Sequence, residues 1–144
     1  MKGRLKVDYK VCVGCRNCEM LCTLNKEKVV NPMKSRVRIA VDEKQGIHKP
    51  MVCRHCANAL CKEACAFDAF IWDDKLEIYN VDPNFCTGCG ACVEACPFDA
   101  IWMSPNSQYP LKCDLCGGDP ACLAQCRTLE HIGKSALQYV ESKK

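Results

Sequence analysis

Sixteen of the 144 residues are cysteine, and they fall into four groups of four. Group one is Cys12, Cys15, Cys18 and Cys22, in CVGCRNCEMLC; group two is Cys53, Cys56, Cys61 and Cys65, in CRHCANALCKEAC. Group three is Cys86, Cys89, Cys92 and Cys96, in CTGCGACVEAC; group four is Cys113, Cys116, Cys122 and Cys126, in CDLCGGDPACLAQC. Every group opens with a gap of two residues and closes with a gap of three. The middle gap is two in groups one and three, four in group two and five in group four. Thiolates are soft donors, so the chemistry to consider is metal binding or disulfide formation.

Spacing and compartment decide between these. A disulfide framework would need eight bridges, and disulfides persist in oxidising compartments. The charged start, Met1 to Lys6, runs into Val7-Asp8-Tyr9-Lys10 with no apolar signal region or small-residue cleavage site, so a reducing, cytoplasmic setting is expected. Zinc pairs two knuckles across a longer finger, a poor match to four cysteines within so short a run. Iron in a sulfide cubane takes one thiolate on each iron, and two successive C-x-x-C steps can wrap three corners of one cube. Gly14, Gly88 and Gly90 lie inside such loops, where a residue without Cβ permits close backbone approach. Group three, with Pro97 after its last cysteine, is the full bacterial ferredoxin run. A gap of three followed by two, the mark of radical-forming S-adenosylmethionine enzymes, occurs nowhere. Four 4Fe–4S clusters with all sixteen cysteines as iron ligands are therefore expected.

Short elements must hold these groups. The segments between third and fourth cysteines (EML, KEA, VEA, LAQ) are good helix formers, so each such pair should share a helix face. KEACAFDAFIW (Lys62–Trp72) nearly repeats as VEACPFDAIW (Val93–Trp102), and Asp8–Cys12 echoes Asp82–Cys86, which points to internal duplication. Phe70-Ile71-Trp72, Asp73-Asp74-Lys75 and Leu76 to Tyr79 read as strand, turn and strand. Arg36 to Val41 alternates charged and apolar residues as an edge strand does, Gly46 marks a turn into a second strand, and Ile132 to Val140 reads equally as a short helix or a strand. The apolar fraction of 49% is about 70 residues, but sixteen of these are cysteines, so the remaining core is thin. Binding of an inorganic core should then supply much of the folding energy, leaving the apo chain largely unfolded.

Composition excludes other classes. No apolar run approaches the ~20 residues of a membrane span. The formal charge of +3 is too dispersed for a nucleic-acid surface. Sixteen thiolates and four cores of charge +2 would move that charge to about −5. There is no nucleotide-binding glycine loop or nucleophile–base constellation, hence no catalytic residue. His55, inside CRHC, reads as a hydrogen-bonding or potential-tuning residue, and His48 and His131 as surface residues. Trp72 and Trp102, matched in the repeat, read as core or cluster-shielding residues. Asp73/Asp74 and Asp68/Asp99 read as turn residues and caps.

The four motifs, their order, and the phrases CRHC, CxGCGxCxxACPFDAI and KCDLCGG resemble the four-cluster ferredoxin-like electron-transfer subunits of molybdenum and tungsten pterin oxidoreductases. The resemblance runs from Asp8 to Cys126 and is strongest to the polyferredoxin-like small subunit of tungsten aldehyde oxidoreductases and the related benzoyl-coenzyme A reductase subunit. It implies an α+β fold of two pseudo-symmetric bacterial-ferredoxin-like modules, loop-rich with short strands and helices: an outer one of residues 1–48 with 104–144 and an inserted one of residues 49–103. It also implies crossed ligand sets: cluster A on Cys12, Cys15, Cys18 and Cys126; B on Cys113, Cys116, Cys122 and Cys22; C on Cys53, Cys56, Cys61 and Cys96; D on Cys86, Cys89, Cys92 and Cys65. Thr23, Ala66 and Arg127 depart from the proline that often follows the fourth cysteine. The implied role is a non-catalytic wire, in anaerobic metabolism, between a tungsten- or molybdenum-pterin catalytic subunit and a flavin/NAD subunit or ferredoxin, with copies of itself in a higher oligomer. Pro32–Met51 and Gly133–Val140 are the expected contact surface. The alternative is a free-standing polyferredoxin serving several enzymes.

Overall fold

The computed structural model describes residues 2–126 and 133–141. Among the described residues there are three two-stranded antiparallel sheets, four short α-helices and two 3-10 turns. Strand β1 (Gly3–Val7) pairs with β6 (Leu137–Glu141), so the two ends of the chain meet in one ribbon. β2 (Val37–Asp42) and β3 (Ile47–Val52) form a hairpin, as do β4 (Phe70–Asp73) and β5 (Ile78–Val81). The helices are α1 (Asn17–Glu27), α2 (Leu60–Glu63), α3 (Ala91–Ala95) and α4 (Cys122–Cys126).

The expected strands are present with shifted bounds. In the central hairpin the second strand starts at Ile78, two residues later than the pattern suggests. Asp73 Oδ1 accepts from the backbone N–H groups of Lys75 and Leu76, and Glu77 takes a left-handed φ of 54°, so the turn runs on through these residues. Leu76 is buried in the core from that turn, not from a strand. The C-terminal stretch with two readings is strand β6, while Arg127, His131 and Ile132 lie outside the described residues.

In groups one and three the helix end follows from the residue after the fourth cysteine. Thr23 is fully buried; its hydroxyl donates to Met20 O and accepts from Asn31 N, and its own N–H leaves the helix free to continue. α1 therefore runs on past Cys22 to Glu27. Pro97 disfavours helical geometry at the residue before it. Cys96 accordingly leaves α3 extended, with ψ 112°. Cys18/Cys22 and Cys122/Cys126 thus share a helix, whereas Cys65 and Cys96 sit just beyond the ends of α2 and α3.

The larger core joins Leu5, Val37, Ile39, Val52, Ile78, Leu115 and Leu137 to five cysteines, Cys18, Cys22, Cys53, Cys113 and Cys122. A smaller one gathers Phe70, Cys92 and Ile101 with Tyr79, Val81 and Val93 around them. Trp102 ties distant segments together: its indole N–H donates to Ser35 O at 2.9 Å and Arg38 stacks on its ring at 4.4 Å. Trp72, its sequence counterpart, is 45% exposed and meets Tyr79 edge-on at 4.8 Å. The two tryptophans are equivalent in the repeat but not in burial, because only Trp102 has a neighbouring segment laid across it.

Candidate metal centres

Each group begins with the same backbone device. The third residue of every C-x-x-C loop has a left-handed φ: 69° at Gly14, 50° at His55, 73° at Gly88 and 55° at Leu115. That turn reverses the chain tightly enough for its N–H groups to face the cysteine sulfurs. The N–H of His55 lies 3.4 Å from Cys53 Sγ, and that of Leu115 lies 3.5 Å from Cys113 Sγ. Fourth cysteines receive comparable bonds from outside their groups: Arg36 N to Cys22 at 3.2 Å, Ala100 N to Cys96 at 3.4 Å and Leu137 N to Cys126 at 3.3 Å. Hydrogen bonds to sulfur stabilise negative charge there and raise the reduction potential of a bound cluster.

The loops surround four separate cavities. One is lined by Cys12, Cys15, Cys18 and Cys126. A second is lined by Cys113, Cys116, Cys122 and Cys22. A third is lined by Cys86, Cys89, Cys92 and Cys65. The fourth is lined by Cys53, Cys56, Cys61 and Cys96, is wider than the other three, and opens to solvent past Leu60, Trp72 and Phe98. All sixteen predicted residues are thus brought together four at a time, three from one group and the last from another.

This donor set fits an iron–sulfur cube. All sixteen cysteines are free thiols. Among the described residues, no three His, Cys, Asp or Glu side chains converge closely enough to hold a single metal ion. The thiols stand around a space instead of meeting at a point, as one thiolate per iron requires. Burial pushes the thiols up, Cys18 and Cys113 to about 12 and Cys92 to about 11. They therefore need cationic iron to exist as thiolates, and loading releases their protons.

The charged surroundings of the four cavities differ. Arg4, Arg54 and Lys112 line the Cys53 cavity, while no charged side chain lines the Cys86 cavity. Lys112 Nζ donates to Tyr79 O at 2.5 Å and lies 3.4 Å from His55 Nδ1. His55 is buried, and burial first, then Lys112 and Arg4, pull its pKa down to about 3, keeping it neutral. Its position supports the hydrogen-bonding role read from sequence. His48 differs from the surface placement expected for it. Its ring lies where a Cβ on Gly14 would sit, 2.4 Å from Nδ1, and that nitrogen is buried without a partner. The left-handed backbone at His55 and Leu115, and the role of Lys112, were not legible in the sequence. The only signal for the first is that both residues occupy the glycine position of the other two loops.

Residues 44–133 match the 4Fe-4S dicluster domain family, and the chain belongs to that family. It is an iron–sulfur electron-transfer protein carrying 4Fe–4S clusters, of the kind that serves as a small subunit of oxidoreductases. It is 37% identical to the polyferredoxin-like subunit of aliphatic sulfonate oxidoreductase from Pyrococcus furiosus, over 83% of this chain and 69% of the relative. It is 40% identical to an uncharacterized ferredoxin of Methanocaldococcus jannaschii, over 92% and 74%. Among solved structures it is similar to a chain of the active site complex BamBC of benzoyl coenzyme A reductase, with a TM-score of 0.57 and 25% identity, covering 99% of this chain and 80% of that one. Among the described residues no helix is long and apolar enough to cross a membrane.

Proposed function

We propose that the four cysteines lining each cavity ligate one 4Fe–4S cluster, in the sets A (Cys12, Cys15, Cys18, Cys126), B (Cys113, Cys116, Cys122, Cys22), C (Cys53, Cys56, Cys61, Cys96) and D (Cys86, Cys89, Cys92, Cys65). The observation that carries this reading is the lining of the cavities, in which every fourth cysteine crosses to another group's cavity. Each cluster, when bound, accepts and gives up one electron. The chain's own residues space the four sites and shield them. Cys18 and Cys22 on α1, and Cys122 and Cys126 on α4, join A to B. Cys53 shares a core with Cys22, Cys113 and Cys122, which joins B to C, and Cys61 packs against the core that holds Cys92, which joins C to D. The order A–B–C–D follows.

The arrangement reads as two pseudo-symmetric ferredoxin-like modules, residues 1–48 with 104–144 around A and B, and residues 49–103 around C and D. The pairing of β1 with β6 supports the outer one, and β3 runs across its first junction. The protein is a non-catalytic redox subunit of the cytoplasm. Its partner is a tungsten- or molybdenum-pterin catalytic subunit, with a flavin/NAD subunit or ferredoxin at the other end of the wire. The relatives from sulfonate oxidoreductase and benzoyl coenzyme A reductase support a partnered subunit. The ferredoxin relative favours the second reading, a free-standing polyferredoxin.

Anaerobic purification with iron, sulfide and zinc counted per chain tests whether the sixteen cysteines hold four such clusters. The expected result is about 16 iron and 16 sulfide, four of each per cubane. Stoichiometric zinc with little iron would contradict it.

A further inference from the structure

The four cavities share one donor chemistry and differ in the charge around it. At A the lining cation Arg16 is paired with Glu19 at 3.2 Å. At B, Lys26 is paired with Asp114, and Arg36 with Glu27 at 2.7 Å. D has no charged lining residue and is walled by Phe67, Phe70, Val81 and Pro110. C is unlike all of these. Arg4 donates to the backbone carbonyls of Gly3, His55, Leu76 and Glu77, and Lys112 to Tyr79 O and toward His55 Nδ1. Arg54 stacks on Phe98 at 3.9 Å. Among the described residues none of the three forms an ion pair. The one acid lining the cavity, Glu77, is paired at 2.5 Å with Lys2.

A cation without a carboxylate partner adds a net positive field, screened by whatever water enters, to the cavity it lines, whereas one already paired with a carboxylate contributes little. Reduction adds one electron and no proton to a site that is already anionic. Nearby positive charge and access to water both favour that extra charge, and an apolar wall opposes it. We propose that Arg4 and Lys112 make the Cys53/Cys56/Cys61/Cys96 site the most easily reduced of the four, and that its neighbour, the Cys86/Cys89/Cys92/Cys65 site, is the hardest to reduce. Lys112 is a positioning residue in this sense: it sets where the electron rests without touching a reacting partner. An electron arriving from a low-potential donor then settles one step in from the D end of the wire.

The inference rests on the proposed ligand sets, and the test separates the two. The holo-protein is titrated electrochemically under anaerobic conditions, with electron paramagnetic resonance following each reduction wave. Cys56→Ala should abolish the first wave to reduce. Lys112→Gln, with iron content unchanged, should shift that wave alone to lower potential. At the wild-type midpoint the oxidised-to-reduced ratio should rise at least tenfold, which is 59 mV or more for one electron. Lys112→Arg should retain the wild-type wave, and Arg4→Gln should shift it in the same direction as Lys112→Gln, providing an independent variant. A uniform drift of all waves in both charge-removing variants, or loss of a later wave in Cys56→Ala, would overturn the assignment while leaving the ligand sets standing. Retention of all 16 iron and all waves in Cys56→Ala would overturn the ligand sets, and this inference with them.

Discussion

Two kinds of cysteine loop bind the same sort of cavity. In groups one and three the left-handed position is glycine, and a second segment lies on top of it. The His48 ring covers Gly14, and the Gln108 carbonyl covers Gly88, 2.6 Å from where a Cβ would be. In groups two and four the same position carries His55 or Leu115, and those side chains are buried. A residue with a Cβ costs about 1–2 kcal/mol in that conformation. Leu115 offsets the cost by entering the larger core, and His55 by accepting at Nδ1 from Lys112 while its backbone N–H faces Cys53 Sγ. The difference tracks position along the proposed wire. Glycine loops serve the terminal sites A and D, and side-chain loops the interior sites B and C. Interior loops help build the core between sites, while terminal loops need only a cover.

The largest effect that would break this comparison comes from Leu115, which is 0% exposed. Leu115→Ala should lose about 2–5 kcal/mol of stability. Thermal unfolding of the holo-protein should show this, with iron lost first from the site of group four. If the variant were as stable as wild type, the side chain would not be structural and the contrast between loops would fail.

Smaller effects sharpen the same contrast at the glycines. Gly88→Ala must push against a backbone carbonyl, which cannot rotate away, so iron content should fall by the equivalent of one site. Gly14→Ala meets the His48 side chain instead, 2.4 Å from its Nδ1, and a side chain can move. Its destabilisation should be close to the about 1–2 kcal/mol of a left-handed alanine. Any further loss should vanish in the double variant Gly14→Ala/His48→Ala. Equal damage at Gly88 and Gly14 would show that the covers are interchangeable.

Much of this was legible in the sequence because cysteine spacing is itself a geometric constraint. The four groups, the helix shared by third and fourth cysteines in groups one and four, the β2–β3 hairpin and the turn roles of Asp68 and Asp99, both at φ 49°, follow from local chemistry, while in groups two and three the helix ends before the fourth cysteine. What local chemistry does not encode is what covers what. His48 looks like an isolated surface histidine until β3 brings it over Gly14. Trp72 and Trp102 match in the repeat, yet only Trp102 is sealed by Ser35 and Arg38. Lys112 sits beside Cys113 in sequence but lines the cavity of Cys53, because the bridge between Trp102 and Leu111 folds that segment back across the core.

The central claim is that fourth cysteines cross between groups, and Cys22→Ala tests it most directly. Its spectrum in the reduced state, with iron count, is compared with those of Cys15→Ala and Cys113→Ala. The account predicts that Cys22→Ala loses the same signal as Cys113→Ala and keeps the one lost in Cys15→Ala. Loss of the Cys15 signal with the Cys113 signal intact would contradict the crossing.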